Sequence, residues 1–405
     1  MRVWICNPFD DIPGEGPPLR YHTLCRVMAG AGHDVTWWSA DFSHRRKARR
    51  MAPPKLGLPF ALRLLHVRAY PRNVGLARFL SHRDYARGLW KSARAEIAAG
   101  RTAPPDCVFV SLPPLDTAGV ARRLRGEFGC RVVVDVMDAW PETFERILPG
   151  PQRVRRAAGV ALLAPFRRAA RRAYRGADAI TGAAQAYLDL ARSYGATAPR
   201  HLCYHCMDIG PPPPPRARQA DEPLRLVYIG SMERAYDLET LLLAVADARS
   251  EGMAVTLDLA GGGSMEAGLR NLGGALGITE AGQVRFHGPL DRPALDALLA
   301  RAHAGVVPMD PASGVAVPYK AADYAAAGLP MLSCLGNELG TLLDEFEAGT
   351  PYAFRDPPSM LAALRKYLAD TELLSRHSSG ARALAEARFD RAREYPKLAA
   401  FIEST

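Results

Sequence analysis

A lysine and an aspartate stand three residues apart in the alanine-rich segment VPYKAADYAAAGLP at 317–330. The segment is typical of a short helix that ends at Gly-Leu-Pro, and residues three apart share one face of a helix. Lys320 and Asp323 should therefore point into the same space near a helix N-terminus, where free N–H groups and the dipole favour an anion. A solvent-exposed first turn fits this pattern. So does a phosphate site in which Asp323 accepts hydroxyl hydrogens.

A glycine turn follows the strand-like run LRLVYI in the C-terminal half. Gly230 and Ser231 form the turn, and Arg234 lies in the loop after it. Glycine allows a ligand to approach backbone N–H groups, and the planar guanidinium of arginine matches phosphate oxygens. We expect these groups to hold a diphosphate.

The N-terminal half contains a comparable turn, Gly14-Glu15-Gly16, between its first strand and a helix that opens near Arg20 and His22. Tight strand-to-helix turns need glycine even without a ligand, so the turn alone leaves both interpretations open.

Carboxylates follow a buried strand in VVVDVMDAWPETFERILP. Asp135, Asp138 and Glu142 should lie near its carboxyl edge, where they could act as acid or base. Aspartates at such positions also commonly cap helices.

Several chemistries lack the residues that they require. The glycines 261–263 suggest a dinucleotide fingerprint, but its third glycine would fall on Glu266 and the motif lies on an interior strand, which disfavours NAD. CYHC at 203–206 has no second CxxC, so we interpret it as structural and expect no metal. GxSxG, HExxH and Walker A patterns are absent from the sequence.

Apolar runs alternate with helix-length segments in both halves, which predicts two doubly wound α/β domains whose facing sheets form a cleft. We predict an N-terminal domain at 1–210, a Pro-rich linker at 211–223, a C-terminal domain at 224–385 and a final helix at 386–405 that could return to the first domain. The runs are MRVWIC, HDVTWW, DCVFVSL, CRVVVDV, ADAITGA, RHLCYH, LRLVYIG, VTLDLAG, QVRFHG, AGVVPM, PMLSCL and TPYAF.

Charge is distributed unevenly along the 405 residues. Residues 1–215 hold 33 Lys+Arg against 17 Asp+Glu, a balance of +16, and residues 216–405 hold 19 against 25, a balance of −6. The segment 153–175 has eight arginines and no acid. It suits an anionic membrane surface better than nucleic acid, because stacking aromatics and RNA-binding motifs are lacking, although a solvated helix also fits.

The location expected from the sequence is the cytoplasm, with a possible peripheral attachment to the inner face of the membrane. The seven cysteines are odd in number and several lie in apolar runs, which favours a reducing compartment. No run reaches the length that spans a bilayer, and the opening MRVWIC is typical of a strand.

Taken together, these motifs resemble the group 1 glycosyltransferases of the GT-B fold, in a family 4-like, surface-polysaccharide type. The similarity covers nearly the whole chain and rests on GHDVTWW, DVMDAWPE, YIGSMERAYDLETLL, LAGGGS, VRFHGPLDRPALDALLARAHAGVVPM and VPYKAADYAAAGLPMLSC. The family's fold is two Rossmann-like domains that face each other across a cleft, with the donor held by the C-terminal domain.

The resemblance implies a role for individual residues. Lys320 would neutralise the donor diphosphate and Asp323 would accept from the ribose, while Gly230, Ser231 and Arg234 would line the phosphates. The backbone around Phe286 and His287 would meet the base. Catalysis is expected to depend on Asp138, Lys320 and Arg234, and the acceptor side is expected to include Gly14, Gly16, Arg20 and Glu142.

Two positions depart from the family pattern. Members commonly carry two glutamates separated by seven residues, whereas this chain has Val315 and the shorter Asp323, with Asp310 as the nearby substitute. Many members have a histidine at the cleft edge of the first domain, where this chain has Asp138.

The expected activity is transfer of a sugar from a nucleoside diphosphate sugar, most simply a UDP-sugar, to a saccharide or lipid-diphosphate-linked acceptor, with retention and without a metal or other cofactor. Two alternatives remain. A non-hydrolysing sugar-nucleotide 2-epimerase would turn over donor without an acceptor, and a non-catalytic binding module would never release nucleotide from the donor.

Overall fold

The computed structural model describes residues 1–50, 57–73, 75–146, 159–211, 218–219 and 221–405. Residues 153–158 of the arginine-rich segment and 212–217 of the proline run lie outside these ranges. Contacts divide the chain into two compact units, the first Met1–Tyr204 with Arg393–Thr405 and the second His205–Ala392.

The first unit is built on a seven-stranded parallel sheet in the order β5-β2-β1-β6-β7-β8-β9. Its strands are apolar on both faces, as in β6, where every residue is buried. A short antiparallel pair, β3 and β4, stands apart. The strands are β1 (Arg2–Cys6), β2 (Asp34–Ala40), β3 (Phe42–Ser43), β4 (Ala48–Arg49), β5 (Ala61–Leu65), β6 (Cys107–Leu112), β7 (Arg131–Val136), β8 (Ala179–Gly182) and β9 (Arg200–Leu202).

Helices connect these parallel strands. The third helix ends at Gly129, whose φ of 72° places it in the left-handed region that glycine adopts without strain. A 3₁₀ turn at Glu142–Arg146 follows β7. The helices are α1 (Arg20–Gly30), α2 (Leu76–Ala98), α3 (Leu115–Phe128), α4 (Ala164–Arg175) and α5 (Gln185–Ser193).

The second unit has a six-stranded parallel sheet in the order β12-β11-β10-β13-β14-β15. Aspartate side chains cap several of its helices, which accounts for part of the acidic balance of this half. The strands are β10 (Leu224–Ile229), β11 (Val255–Ala260), β12 (Val284–Gly288), β13 (Ala304–Val307), β14 (Met331–Ser333) and β15 (Gly349–Pro351). Its helices are α6 (Leu238–Ser250), α7 (Glu266–Ala275), α8 (Arg292–Arg301), α9 (Tyr319–Ala326), α10 (Glu338–Glu345), α11 (Pro357–Ala369) and α12 (Thr371–Leu384). The last helix of the chain, α13 (Arg391–Ser404), lies for the most part in the first unit.

These sheets confirm the predicted fold class of two doubly wound α/β domains. In each sheet the strand order reverses beside the first strand, at β1 and β6 in one unit and at β10 and β13 in the other. Loops that follow such strands at their carboxyl ends are where open α/β sheets bind ligands. Gly14 and Gly230 lie in such loops, after β1 and β10, and Asp138 follows β7, the neighbour of β6.

The boundary between the units falls before the proline run, whereas the sequence placed it at 210. Met207 donates its N–H to the carbonyl of Phe389 at 2.8 Å and forms an isolated parallel β-bridge with Asp390. Both contacts tie this stretch to the second unit. Residues 393–405 pack with the first unit, where the ring of Phe401 stacks on His201 at 5.1 Å.

Within the described ranges, no helix is long and apolar enough to cross a bilayer. All seven cysteines are free and buried, Cys203 and Cys206 of the CYHC segment among them.

Candidate donor and acceptor sites

Lys320 is buried in the first turn of α9, with 6 % of its surface exposed. Its ammonium lies 3.8 Å from the ring centroid of Tyr228 and 4.1 Å from that of Tyr236. Within the described residues Nζ has no hydrogen-bond partner. Burial lowers the pKa of Lys320 well below its ordinary value of 10.5. Among the described residues, only aromatic faces contact the charge of Lys320 in the unliganded state. A bound anion would add charged hydrogen bonds and would therefore stabilise this cation strongly.

Gly230 makes room for this ammonium. Its φ is 127°, in the region that favours glycine, and a Cβ built there would lie 3.2 Å from Nζ of Lys320. Ser231 is exposed, and its carbonyl accepts a hydrogen bond from the Tyr228 hydroxyl at 2.5 Å. The turn, the lysine and the two tyrosines therefore form one cluster.

The ring of Tyr324 fastens α9 to the sheet. Its ring carbons lie where Gly305 of β13 lacks a side chain, because a Cβ there would be 2.5 Å from the ring. The Tyr324 hydroxyl accepts from the N–H of Ile229 at 3.0 Å and lies 3.3 Å from the carbonyl of Val306. The helix that carries Lys320 is thus joined directly to β10 and β13.

Glycines 261–263 have a packing role in the structure. A Cβ on Gly261 would lie 1.9 Å from the carbonyl oxygen of Gly230, and one on Gly263 would lie 2.4 Å from that of Met232. Two loop backbones approach here more closely than any side chain allows. This contact explains the glycines without a dinucleotide.

Arg234 is exposed, and within the described ranges its guanidinium makes no hydrogen bond or ion pair. Nearby acids are engaged elsewhere: Glu233 accepts from the N–H of Ser264 at 3.1 Å, and Asp237 caps α6 through Thr240. Arg234 therefore remains available to a ligand beside the Gly230 turn.

Asp323 has a partner that the sequence analysis missed. Its Oδ1 accepts from Nη1 of Arg292 at 2.9 Å, and Arg292 also pairs with Asp296 at 2.8 Å. Burial raises the pKa of Asp323, and Arg292 opposes that rise. The two charges of α9 thus have different neighbours, the tyrosine rings for Lys320 and an arginine of α8 for Asp323.

The predicted base-contacting stretch lies on β12. Phe286 is half-buried, and its ring centroid lies 4.5 Å from the guanidinium of Arg270. Nε2 of His287 lies 2.6 Å from Oδ1 of Asp258. Arg270 was not among the predicted residues. Asp310, the predicted substitute acid, accepts from the N–H of Ala312 at 2.7 Å and so caps a short 3₁₀ turn.

The structure argues against the acceptor-side role predicted for Arg20, which is fully buried in the first unit. It pairs with both oxygens of Asp135 at 2.8 Å and donates to the carbonyl of Cys203 at 2.6 Å. Tyr21 and Thr181 donate to the same carboxylate at 2.7 and 2.6 Å. Burial alone would raise the pKa of Asp135, but Arg20 and these hydrogen bonds hold it below its usual range.

Asp138 follows β7 and begins the turn that carries Glu142. Its Oδ1 accepts from the N–H of Ala139 at 2.7 Å and from Thr143 at 3.2 Å, and burial raises its pKa. Glu142 pairs with Arg167 at 3.4 Å and accepts from Tyr194, while its Oε2 is buried without a partner within the described residues.

A cationic and aromatic cluster, missed in the sequence, lies beside Asp138. The guanidinium of Arg78 is 5.4 Å from the ring of Phe9 and 5.0 Å from that of Trp140. The positive charge of Arg78 lowers the pKa of Asp138 and so opposes the effect of burial. Burial and the charge of Arg78 lower the pKa of His82 to about 3, so its buried imidazole is neutral at physiological pH.

Gly14 and Gly16 lie in a loop that arginines contact. Gly14 has a φ of 90°, and a Cβ on Gly16 would lie 3.3 Å from Nη2 of Arg45 and from Asp11. Arg45 donates to the carbonyl of Glu15 at 3.3 Å. The backbone of this loop therefore contacts side chains of the protein on at least one side.

Part of this chain is similar in sequence to known proteins. Residues 223–370 match the family described as Glycosyl transferases group 1. A glycogen synthase of Mycobacterium tuberculosis (strain CDC 1551 / Oshkosh) is 31 % identical over 170 residues, which is 42 % of this chain and 39 % of that protein. The match thus spans about two fifths of that relative's length.

Solved structures resemble the whole chain. Sucrose-phosphate synthase from Thermosynechococcus elongatus has a TM-score of 0.71 at 16 % identity, covering 100 % of this chain and 98 % of that one. Anabaena HepE in complex with UDP has a TM-score of 0.67 at 14 % identity, covering 100 % of both chains. Residues 223–370 are therefore similar in sequence to the group 1 glycosyl transferases, and the two parallel-sheet units of the chain share the fold of these solved structures.

Proposed function

We propose that this protein is a glycosyltransferase that moves a hexose-type sugar from a UDP-sugar to a hydroxyl of a saccharide or lipid-diphosphate-linked acceptor, in the synthesis of a surface polysaccharide or glycoconjugate. The observation that carries the proposal is the buried Lys320 ammonium, which lies at the Gly230 turn and has no hydrogen-bond partner among the residues that the structure describes. HepE, a protein of the same fold, was solved with UDP, which supports this choice of nucleotide.

The reaction breaks the bond between the anomeric carbon and the diphosphate oxygen. The acceptor oxygen forms the new bond, and its proton passes to Asp138 or to the leaving diphosphate. Negative charge accumulates on the leaving diphosphate. In this proposal Lys320, Arg234 and the amides after Gly230 stabilise that charge as preorganised donors. Two cations would then perform the neutralisation that a metal performs elsewhere. The resemblance to the group 1 glycosyltransferases implies in addition that the sugar keeps its anomeric configuration.

Donor binding tests the proposal most directly. Ligands that bind the folded state raise its melting temperature, so UDP, GDP, ADP, dTDP and NAD should be compared by thermal shift. We expect a shift with UDP that Lys320→Ala and Arg234→Ala abolish and that Lys366→Ala, an exposed lysine of the same unit, preserves. A UDP shift that survives Lys320→Ala would move the donor site away from α9.

The same protein separates the two rival functions. Conversion of donor to an epimer without any acceptor would indicate an epimerase. Nucleotide binding with no release of UDP from UDP-sugars, across a range of acceptors, would indicate a binding module.

Asp138 is proposed to act on the acceptor hydroxyl or the anomeric centre. Asp138→Asn keeps the shape and the hydrogen bonds from Ala139 and Thr143 but removes the charge. We expect kcat to fall by about 100-fold or more with UDP affinity unchanged, because general acid–base groups contribute on this scale. Steady-state kinetics and UDP titration measure the two quantities. An unchanged kcat would exclude a chemical role for Asp138.

Attachment to a membrane at the cytoplasmic side is proposed for the edge formed by the start of α2 and the residues before α4. Leu76 and Leu162 are 74 % and 62 % exposed, and Phe79 contacts Phe166 at 5.4 Å. Exposed Arg168 lies on the same helix as Phe166, whereas Arg167 is paired with Glu142 and Glu145.

Leu76→Ser with Leu162→Ser should weaken binding to anionic vesicles by roughly tenfold or more, because two exposed leucines lose their burial. Vesicle sedimentation measures this loss. Neutral phosphatidylcholine vesicles serve as the control for the arginine contribution. Undiminished sedimentation of the double variant with anionic vesicles would contradict the proposal.

A further inference from the structure

A groove of about 450 Å³ opens among α2, α3 and α4 of the first unit. Five lining positions carry small residues, which leave space between the three helices: Ala86, Ala118, Gly119, Ala169 and Ala173. The volume lies within the range of small-molecule sites. None of the residues assigned above to the donor or acceptor lines this groove, and Ala169, Arg172 and Ala173 of its lining belong to the arginine-rich segment 153–175.

Cations dominate the lining. Asp116 is the one carboxylate among the lining residues, and burial raises its pKa while Arg83 and Arg87 oppose that rise. Within the described ranges, none of the basic side chains of the groove is hydrogen-bonded or ion-paired to another side chain. The six cations are Arg83, Arg87, Lys91, Arg122, Arg123 and Arg172.

An indole forms part of the wall. Trp90 lies with its ring 5.8 Å from the guanidinium of Arg123 and 5.3 Å from that of Arg94. Arg94 is itself held by Glu127 at 2.9 Å, outside the groove lining. The wall therefore offers an aromatic face next to positive charges.

We propose that this groove binds a phosphate-bearing ligand, independently of the donor site. Six cations that converge on one concave surface repel each other unless an anion occupies it, and a concavity of one charge sign focuses its field on incoming anions. Guanidinium forks match phosphate oxygens in geometry as well as charge. The ligand can be a soluble phosphorylated compound or the head group of an anionic phospholipid, and both present the same chemistry.

The test uses protein in which Lys320→Ala and Arg234→Ala disable the proposed donor site, so that any remaining phosphate binding has another origin. Inorganic tripolyphosphate is titrated by calorimetry, and vesicles with and without phosphatidylglycerol are tested by sedimentation. The groove variant is Arg87→Ala, Arg122→Ala and Arg172→Ala. The matched control removes three exposed arginines of the same unit that lie off the groove, Arg26, Arg192 and Arg200.

We expect the groove variant to lose about tenfold or more in association constant, equivalent to ~1.4 kcal/mol, while the control changes much less. If the groove variant loses affinity for tripolyphosphate, the ligand is a soluble phosphate compound. If it loses affinity for phosphatidylglycerol vesicles alone, the ligand is a lipid head group. Equal binding by the groove variant and the control, or no binding of either ligand, would overturn the proposal. Circular dichroism melting of both variants checks that the helices still form.

Discussion

Replacing Lys320 with methionine should stabilise the unliganded protein and weaken its affinity for nucleoside diphosphates. The ammonium is buried against Tyr228 and Tyr236, and no hydrogen-bond acceptor reaches it in the described part of the chain. Methionine fills a similar volume without a charge to desolvate, so we expect the free energy of unfolding to rise by about 1–3 kcal/mol. Loss of a charged hydrogen bond to phosphate should weaken UDP binding by roughly tenfold to 100-fold.

The pH dependence of unfolding distinguishes this explanation from a simple packing effect. Because the folded-state pKa of Lys320 is lowered, the unfolded chain binds more protons between that pKa and 10.5. Stability of the wild type should therefore rise with pH across this window, and Lys320→Met should lack the rise. Conversely, UDP binding above the lowered pKa should take up a proton, which calorimetry in buffers of different ionisation enthalpy detects.

Lys366→Met, at an exposed position, is the matched control for the change of residue type. Urea titrations at several pH values give the free energies. A Lys320→Met protein that is less stable than the wild type at neutral pH would show that the tyrosine rings compensate fully for the buried charge.

Arg20→Ala should cost about 3–5 kcal/mol of unfolding free energy, because it leaves the Asp135 carboxylate buried without its cation. Both side chains of the pair are fully inaccessible to solvent. The double variant Arg20→Met with Asp135→Leu removes both charges and should recover most of the loss. Urea unfolding followed by the tryptophans of the first unit measures each variant.

Arg26→Ala, on the exposed side of the same helix α1, is expected to change stability by less than about 0.5 kcal/mol. If Arg20→Ala left the unfolding free energy unchanged but raised the KM for acceptor, the buried ion pair would not be the function of this residue, and the acceptor-side role would return.

The sheets were largely predictable, because strands buried on both faces leave a continuous apolar run in the sequence. All twelve predicted runs contain strands of the two sheets. Strand β5 was missed because ALRLL carries an arginine and four half-exposed positions. An edge strand of this kind lacks the continuous apolar run that marks a strand buried on both faces. The hairpin β3 and β4 has only two residues in each strand, too few for any periodicity.

The residues of the candidate site could be predicted from the sequence, but the side chains that contact them mostly could not. Lys320 and Gly230 follow from local pattern and resemblance, and the structure brings them together. The tyrosines around Lys320 were not foreseen, because Tyr228 reads as one more apolar residue of a strand. Arg292, which engages Asp323, and Arg78, which lies beside Asp138, are distant in sequence from the acids they affect. Such pairings depend on tertiary packing that no local pattern encodes.

The ring of Tyr324, seated in the space left by Gly305 and bonded to the first strand of its sheet, has a consequence for binding kinetics. A helix fixed in this way presents its lysine in one place before any ligand arrives, so the entropy of ordering the phosphate-binding groups has been lost during folding and not at the encounter. Association should then proceed as a single bimolecular step, with a rate that depends on ionic strength and with no slow unimolecular phase.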